Sequence, residues 1–373
     1  MSKAEYKRLG DYIRPVDVRN KDLKVTLSQG ICNAKYFQNP KQVADNPETH
    51  KVVRTGQFAY NRATTRNGEK ISIALREGPD CTVSSAYQVF EIIDENLLNP
   101  RYLMMWFKRP EFDRLAIYFS HGSAHEFFEW DAMCDVHLPI PSITRQREIV
   151  SEYETLSNRI RINEQMIAKL EETAQALYRK MFVDGIDKEN LPEGWRMGTL
   201  GEIARYVDEK KSLNEIEESS YIATENMLKD KKGIMFSTNK PEEGRGTRFL
   251  IDDVLVSNIR PYFKKIWRAT FDGVSSNDVL CFRAENEFNA SMLYYTLEQD
   301  AFFDYVMAGS NGVKMPRGDK DWIMKYPIII PSSTGIGHYQ ETTKCLHANI
   351  VCLKQETEKL TKLQSLLLAR MGQ

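Results

Sequence analysis

The sequence predicts an α+β protein in which two pseudo-symmetric mixed α/β globules alternate with two long helices packed as an antiparallel coiled coil. Three observations predict it. Short motifs recur in the same order about 190 residues apart. Each half ends in a polar stretch carrying an apolar heptad stripe. Ahead of each stripe, β-like runs alternate with turn residues.

The repeats keep their order. Leu9-Gly10-Asp11 and Arg14-Pro15-Val16-Asp17 match Leu200-Gly201-Glu202 and Arg205-Tyr206-Val207-Asp208. Val83-Ser84-Ser85 matches Val274-Ser275-Ser276. Tyr118 with Gly122-Ser123 matches Tyr305 with Gly309-Ser310, and Ile140-Pro141-Ser142 matches Ile330-Pro331-Ser332. The predicted order is a globule over 1–141, a helix over 142–184, a linker over 185–194, a globule over 195–333 and a helix over 334–373.

In the globules, β-like runs fall at 51–53, 71–75, 86–92, 253–257 and 279–282. Asn67-Gly68, Gly78-Pro79-Asp80 and Asp272-Gly273 bound them as turns. Short helices are expected at 102–107 and 290–297.

The first long helix carries Ile149, Tyr153, Leu156, Ile160, Asn163, Ile167, Leu170, Ala174, Leu177 and Met181, spaced alternately four and three apart. The second repeats the spacing with Leu346, Ile350, Leu353, Thr357, Leu360, Gln364, Leu367 and Met371. Leu363, Leu366 and Leu368 broaden its apolar face. Neither helix can bury such a stripe alone, so each is expected to pack on the other. Asn163 is the one polar residue in the first stripe. It is either a device that fixes register or a solvent-accessible side chain in a loose seam.

Composition bounds the function. The chain has 373 residues, 51 Lys+Arg against 52 Asp+Glu, 42% hydrophobic and 28% charged residues. That is an ordinary globular composition, enough for about two domains. No apolar run approaches the ~18 residues of a membrane helix. The first residues lack the apolar core of a secretory signal. Six scattered cysteines without a C-x-x-C pair argue against a disulfide framework or zinc ribbon, and for a reducing compartment, the cytoplasm. A net charge of −1 argues against coating nucleic acid by bulk electrostatics and leaves room for local basic loops.

Several chemistries lack their motif. There is no phosphate loop and no dinucleotide fingerprint. The [DNS]-P-P-[YFW] stretch of amino-methyltransferases is absent. His121 and His125 beside Glu126 lack a third ligand, so polar loop residues are expected there rather than a metal site. Pro79-Asp80 has no following Glu-x-Lys and is read as a turn. No constellation is catalytic, and the chain is expected to bind no cofactor itself.

Basic and polar residues gather in matching places. In the first half these are Lys51, Arg54, Tyr60, Asn61, Arg62, Thr64, Arg66 and Lys70. In the second they are Arg245, Arg248, Asn258, Arg260, Tyr262, Lys264 and Lys265. Arg pairs with guanine edges and Asn with adenine edges, while Lys and Arg neutralise phosphates. A second loop pair adds Ser123, and Ser310, Asn311 and Lys314. Glycines there would let backbone approach a phosphate. The alternative for both loop pairs is solvated turns.

The layout resembles the specificity (S) subunits of type I restriction–modification systems. The local matches are Tyr6-Lys7-Arg8-Leu9-Gly10-Asp11, Leu191-Pro192-Glu193-Gly194-Trp195 leading to Leu200-Gly201-Glu202-Ile203, Val83 through Phe90, and Ala174-Gln175-Ala176-Leu177-Tyr178. Two departures stand out. Thr144-Arg145-Gln146 and His338-Tyr339-Gln340 replace a Glu-Gln ending, and the first half lacks a Leu-Pro-x-Gly-Trp lead-in. The second departure fits a cyclic layout in which the second helix ends beside the first globule.

The resemblance implies that each globule is a target-recognition domain reading half of a bipartite site in double-stranded DNA. The helices then set the spacer and dock two methyltransferase (M) subunits that use S-adenosylmethionine. Two restriction (R) motor-nuclease subunits join in complexes that cut unmodified DNA, an antiviral defence. The competing interpretation is a pseudo-symmetric scaffold whose globules bind proteins.

Overall fold

A computed structural model describes residues 6–40, 46–63, 70–120, 127–235, 240–285, 290–312 and 314–372. The chain divides into two compact units: residues 1–162 with 356–373, and residues 163–355.

In unit 1, strands β1 (Ile13–Val16), β2 (Phe58–Asn61), β3 (Ile73–Leu75) and β4 (Tyr87–Ile92) form an antiparallel sheet of order β1-β4-β2-β3. Phe58 faces Phe90 across the ladder, and their rings stack at 4.9 Å. Lys51–Val53 pairs with Cys81–Val83 in a smaller ribbon. Helices α1 (Pro100–Phe107), α2 (Pro110–Tyr118) and α3 (Trp130–Cys134) cover the sheet. Asn99 caps α1, accepting hydrogen bonds from Arg101 N at 2.9 Å and Tyr102 N at 3.2 Å, with Pro100 at the first helical position.

Helix α4 (Ile143–Phe182) follows. Gln146, one of the residues at the departure noted above, is fully buried. Its amide donates to the Leu97 and Pro141 carbonyls and accepts from Asn99 N, locking the start of α4 onto the cap of α1.

Unit 2 has β5 (Ala204–Tyr206), β6 (Val254–Ser257), β7 (Ile266–Arg268) and β8 (Val279–Ala284), in the order β5-β8-β6-β7. This is the strand order of unit 1. A second sheet joins Lys210–Ser212, Arg245–Phe249, Gly273–Ser275 and Tyr221–Ile222. Helices α5 (Ala290–Glu298), α6 (Asp300–Ala308) and α7 (Lys320–Met324) precede α8 (Ser333–Arg370). Helices α2, α3, α6 and α7 had no separate sequence signal, because Pro and single caps interrupt what reads as loop.

The long helices pair antiparallel. In unit 1, Arg159 forks onto Glu356 at 3.0 and 3.2 Å, and Gln364 donates to Ser157 at 2.6 Å. In unit 2, Lys354 meets Glu171 at 3.0 Å. Exposed ion pairs contribute only ~0.2–1 kcal/mol. The apolar stripe contributes more. Ile149, Leu156, Ile160, Ile167, Leu170 and Leu177 are partly buried, as are Leu346, Leu353, Leu360 and Leu367. Asn163 and Ile350 are buried. Leu363 and Leu366 are 50% and 58% exposed, so they face outward rather than broadening the seam.

Helix α8 ends in unit 1, as the cyclic layout requires. Met371 lies in the core with Leu9 and Trp106, and Tyr6 Oη donates to the Gly372 carbonyl at 2.7 Å. In unit 2, Tyr178 on α4 shares a 2.9 Å hydrogen bond with Thr296 on α5 and packs against Tyr339 of α8.

Beside that junction, Tyr294 Oη donates to Glu298 Oε1 at 3.3 Å, and Glu298 Oε2 is buried without a partner. Burial, with help from Glu171 and Asp300 against Lys231 and the Tyr294 hydrogen bond, lifts this carboxyl to about 6. A raised carboxyl destabilises the fold where it is ionised in the native state. That cost is full above pH 6 and is relieved as pH falls through the native value toward the unfolded one. Glu298→Gln should therefore stabilise the protein at pH 7.5 by roughly 2 kcal/mol, with the gain fading near pH 4.5, read by denaturant midpoints at both pH values. In the seam, Ile350→Ala should cost about 2–5 kcal/mol, while Leu366→Ala should stay within about 0.5 kcal/mol in the same titration.

Candidate nucleic-acid interface

In unit 1 strand β2 ends at Asn61 and β3 begins at Ile73. Asn61 Oδ1 accepts from Ala63 N at 3.1 Å and bends the chain out of the strand. Ala63 then forms an antiparallel bridge to Phe127, and Phe128 N donates to the Arg62 carbonyl at 2.9 Å. So the chain flanking 64–69 is joined to the chain flanking 121–126. Thr64, Arg66 and Ser123, like His121, His125 and Glu126, lie outside the described residues. Arg62 stays half-exposed, 3.4 Å from Glu129 and 6.0 Å from the Phe127 ring. Lys70 is exposed.

Three other candidates of the first half sit elsewhere. Tyr60 is 0% exposed, with its ring against Phe90 and Phe128, because alternate strand residues point inward. It is a core residue and presents nothing to a ligand. Lys51 is also buried. Its ammonium stands 3.5 Å from Asp17, and burial lowers its pKa. Arg54 is exposed but lies in the turn before β2, at the opposite end of that strand from Asn61.

In unit 2 the same join recurs. Ile259 bridges Arg317, Arg260 N donates to the Pro316 carbonyl at 2.8 Å, and Gly318 N reaches the Asn258 carbonyl at 3.4 Å. The ribbon Ser310–Asn311 with Arg317–Gly318 carries Ser310, Asn311 and Lys314 beside the 258–265 turn. A Cβ on Gly318 would stand 2.9 Å from Asn258 Oδ1, so only glycine allows this approach. Gly309 has a different use from the one expected. The Trp322 ring fills the space of its missing side chain.

Arg260 and Lys264 both adopt left-handed backbone, φ 51° and 49°, around the 3₁₀ turn Pro261–Phe263. Such residues cost about 1–3 kcal/mol each and gather at ligand sites. The turn presents Tyr262, 46% exposed. Asn258 Oδ1 and Arg260 Nε are buried without partners, which leaves hydrogen-bonding capacity at the loop junction. Lys264 meets Asp300 at 2.8 Å. Lys265 points inward, donating to the Thr224 carbonyl at 2.6 Å.

Arg245 and Arg248 belong to the second sheet instead. Arg248 is held by Glu209 at 2.5 Å, opposite Val274, as Lys51 stands opposite Val83. The sequence missed Arg317, which is exposed at the bridge and 3.1 Å from Asp278. A lone Arg before Gly318 carried no signal until the fold set it beside Ile259.

What this surface offers is guanidinium, amide and ammonium donors with an exposed aromatic ring, the groups that reach base edges and phosphates. Among the described residues, no group of three His, Cys, Asp or Glu side chains could hold a metal ion, and no helix is long and apolar enough to cross a membrane.

The whole chain superposes on the crystal structure of the type I restriction–modification system S subunit from M. genitalium. The TM-score is 0.58 with 13% identity, over 100% of this chain and 97% of that one. This chain has the S-subunit fold. Against the HsdS subunit from Thermoanaerobacter tengcongensis the TM-score is 0.39, with 17% identity over 100% of this chain and 97% of that one. A chain from a study of complex assembly and conformational transition of the type I R-M system gives 0.49, at 16% identity with 100% and 98% covered. No protein-family model and no curated protein matches the sequence. Within the S-subunit fold, the loop residues are where two chains of low identity are free to differ.

Glycine adopts left-handed backbone without penalty, so Arg260→Gly should leave stability unchanged or raise it by up to ~1 kcal/mol while removing the guanidinium. Tyr60→Ala should instead lose about 3–5 kcal/mol, as core aromatic truncations do. Thermal melts of the two variants against the parent chain check both.

Proposed function

We propose that this chain is the DNA-specificity subunit of a type I restriction–modification complex. Each unit reads one half of a bipartite site in double-stranded DNA, and the two units are pseudo-symmetric repeats. Helices α4 and α8 set the spacer and dock two methyltransferase subunits, with or without two restriction subunits. The chain itself is non-catalytic. S-adenosylmethionine binds the partner methyltransferase, which must flip the target adenine out of the duplex.

The observation that carries this proposal is the recurring bridge, Ala63 to Phe127 and Ile259 to Arg317. In both units it joins the chain that leaves a sheet strand to a distant segment, on a chain with the S-subunit fold. A bridge that holds two segments in register supports a reading edge, because discriminating bases needs pre-organised side chains.

Long-read methylation mapping tests it, comparing cells that express the chain with a cognate methyltransferase against cells with the methyltransferase alone. The expected result is a split adenine motif with a fixed gap that appears only with the chain. Adding one heptad to both α4 and α8 should lengthen the gap and leave both half-sites unchanged. Methylation independent of the chain would refute the specificity role and favour a protein scaffold.

A further inference from the structure

Unit 2 contains a second loop that the recognition surface does not account for. Residues 227–234 form a hairpin, closed by the Met227–Ile234 bridge and a 2.8 Å hydrogen bond from Leu228 N to the Gly233 carbonyl. Its tip docks on the 260–264 turn. Asp230 N donates to the Phe263 carbonyl at 3.0 Å, and Lys231 N to the Lys264 carbonyl at 2.9 Å.

The backbone at this contact is strained. Seven described non-glycine residues have positive φ, and four of them, Asp230, Lys231, Arg260 and Lys264, meet here. Three of the four are cations at positions where glycine would cost less. The sequence keeps the charged side chain and bears the strain.

The charge is crowded as well. The Lys229 ammonium lies 3.9 Å from the Phe263 ring centre and the Lys265 ammonium 5.9 Å from it. Lys231 and Lys264 converge on one carboxylate, Asp300, at 2.9 and 2.8 Å. Those two lysines, Lys264 foremost, hold Asp300 down to about 2, so it stays ionised and still balances only one of them. Burial, then repulsion from Lys229, lowers the pKa of Lys265. Lys232 is exposed. Counting Arg260, six cations stand on these two loops beside five carboxylates, Glu225, Asp230, Glu298, Asp300 and Asp304. An anion placed over Lys229 would relieve this crowding, and Lys232 stands exposed on the same hairpin. Through Arg260 N and the Pro316 carbonyl the patch is continuous with the reading loops.

We propose that the 227–234 hairpin and the 260–264 turn form a phosphate clamp that grips the backbone of duplex DNA beside the loops of unit 2 that read bases. The clamp rests on the specificity-subunit interpretation above and adds the residues that supply affinity without sequence preference. Unit 1 has no counterpart among its described residues. There the left-handed lysine, Lys35, is buried on Asp113 at 2.7 Å.

The test uses the full chain, a random-sequence 30-base-pair duplex and a series of salt concentrations. Each phosphate contact contributes about 0.9 to the slope of log affinity against log salt. Lys229→Gln combined with Lys232→Gln should make that slope shallower by about 1.8 and weaken binding roughly tenfold or more at 0.1 M salt. The methylation motif should stay as it is, because phosphate contacts carry no base information. Both side chains are exposed, and an unchanged melting curve controls for folding. Arg62→Gln in unit 1 is the comparison. A shallower slope for Arg62→Gln with an unchanged slope for the double variant overturns the clamp and leaves the DNA-reading role standing. Absence of salt-dependent duplex binding by the parent chain overturns both. Loss of single-stranded RNA binding with duplex binding intact overturns the clamp and assigns the patch to RNA.

Discussion

The apolar stripe on each long helix has no partner within its own half of the chain, and the architecture is built around that constraint. A helix in a protein draws most of its stability from packing its apolar face against something. Packing α4 against α8 buries both faces at once, and it forces the chain to double back. Hence the first part of α4 is completed by the last part of α8 in unit 1, and the second part of α4 by the first part of α8 in unit 2. The ion pairs along the seam, Arg159 with Glu356 and Lys354 with Glu171, fix direction more than they stabilise. Around each half-seam a globule is pinned by buried polar groups: Gln146 at the start of α4, and Tyr178 with Thr296 toward its end.

The recognition surface follows from the sheets. In both units the chain leaving the third-positioned strand of the main sheet is tied by one antiparallel bridge to a distant segment, Ala63 to Phe127 and Ile259 to Arg317. Such a bridge limits the freedom of the chain it joins, and lost freedom is an entropic cost of binding. Unit 2 goes further, with left-handed arginine and lysine held in place by carbonyl acceptors from neighbouring loops.

Much of this was legible from residues alone. The two stripes and the strand runs followed from order and period, because periodicity survives divergence. Individual surface residues were less so. Tyr60 and Arg62 are two residues apart, yet Tyr60 is core on β2 and Arg62 lies just past the end of that strand. Counting polar residues in a window ignored the bend that Asn61 makes. Lys51 looked like a phosphate ligand and is an inward-facing strand residue answered by Asp17. Arg317 and the lysines of the 227–234 hairpin had no local signal. They acquire meaning only through backbone hydrogen bonds that join segments 30 to 60 residues apart, which no window reveals.

The shared seam also orders events during synthesis. The core of unit 1 takes in Met371, with Leu367 and Leu368 packed against it, while Val150 waits in the same core. Roughly 220 residues separate Val150 from Met371. At ~5–20 residues per second a ribosome needs roughly 10–45 s to supply that segment. Unit 2 is contiguous and can close as it emerges. The part of the protein made first is therefore the part finished last, and for that interval its half of the α4 stripe is open to chaperones or to the α8 of another nascent chain.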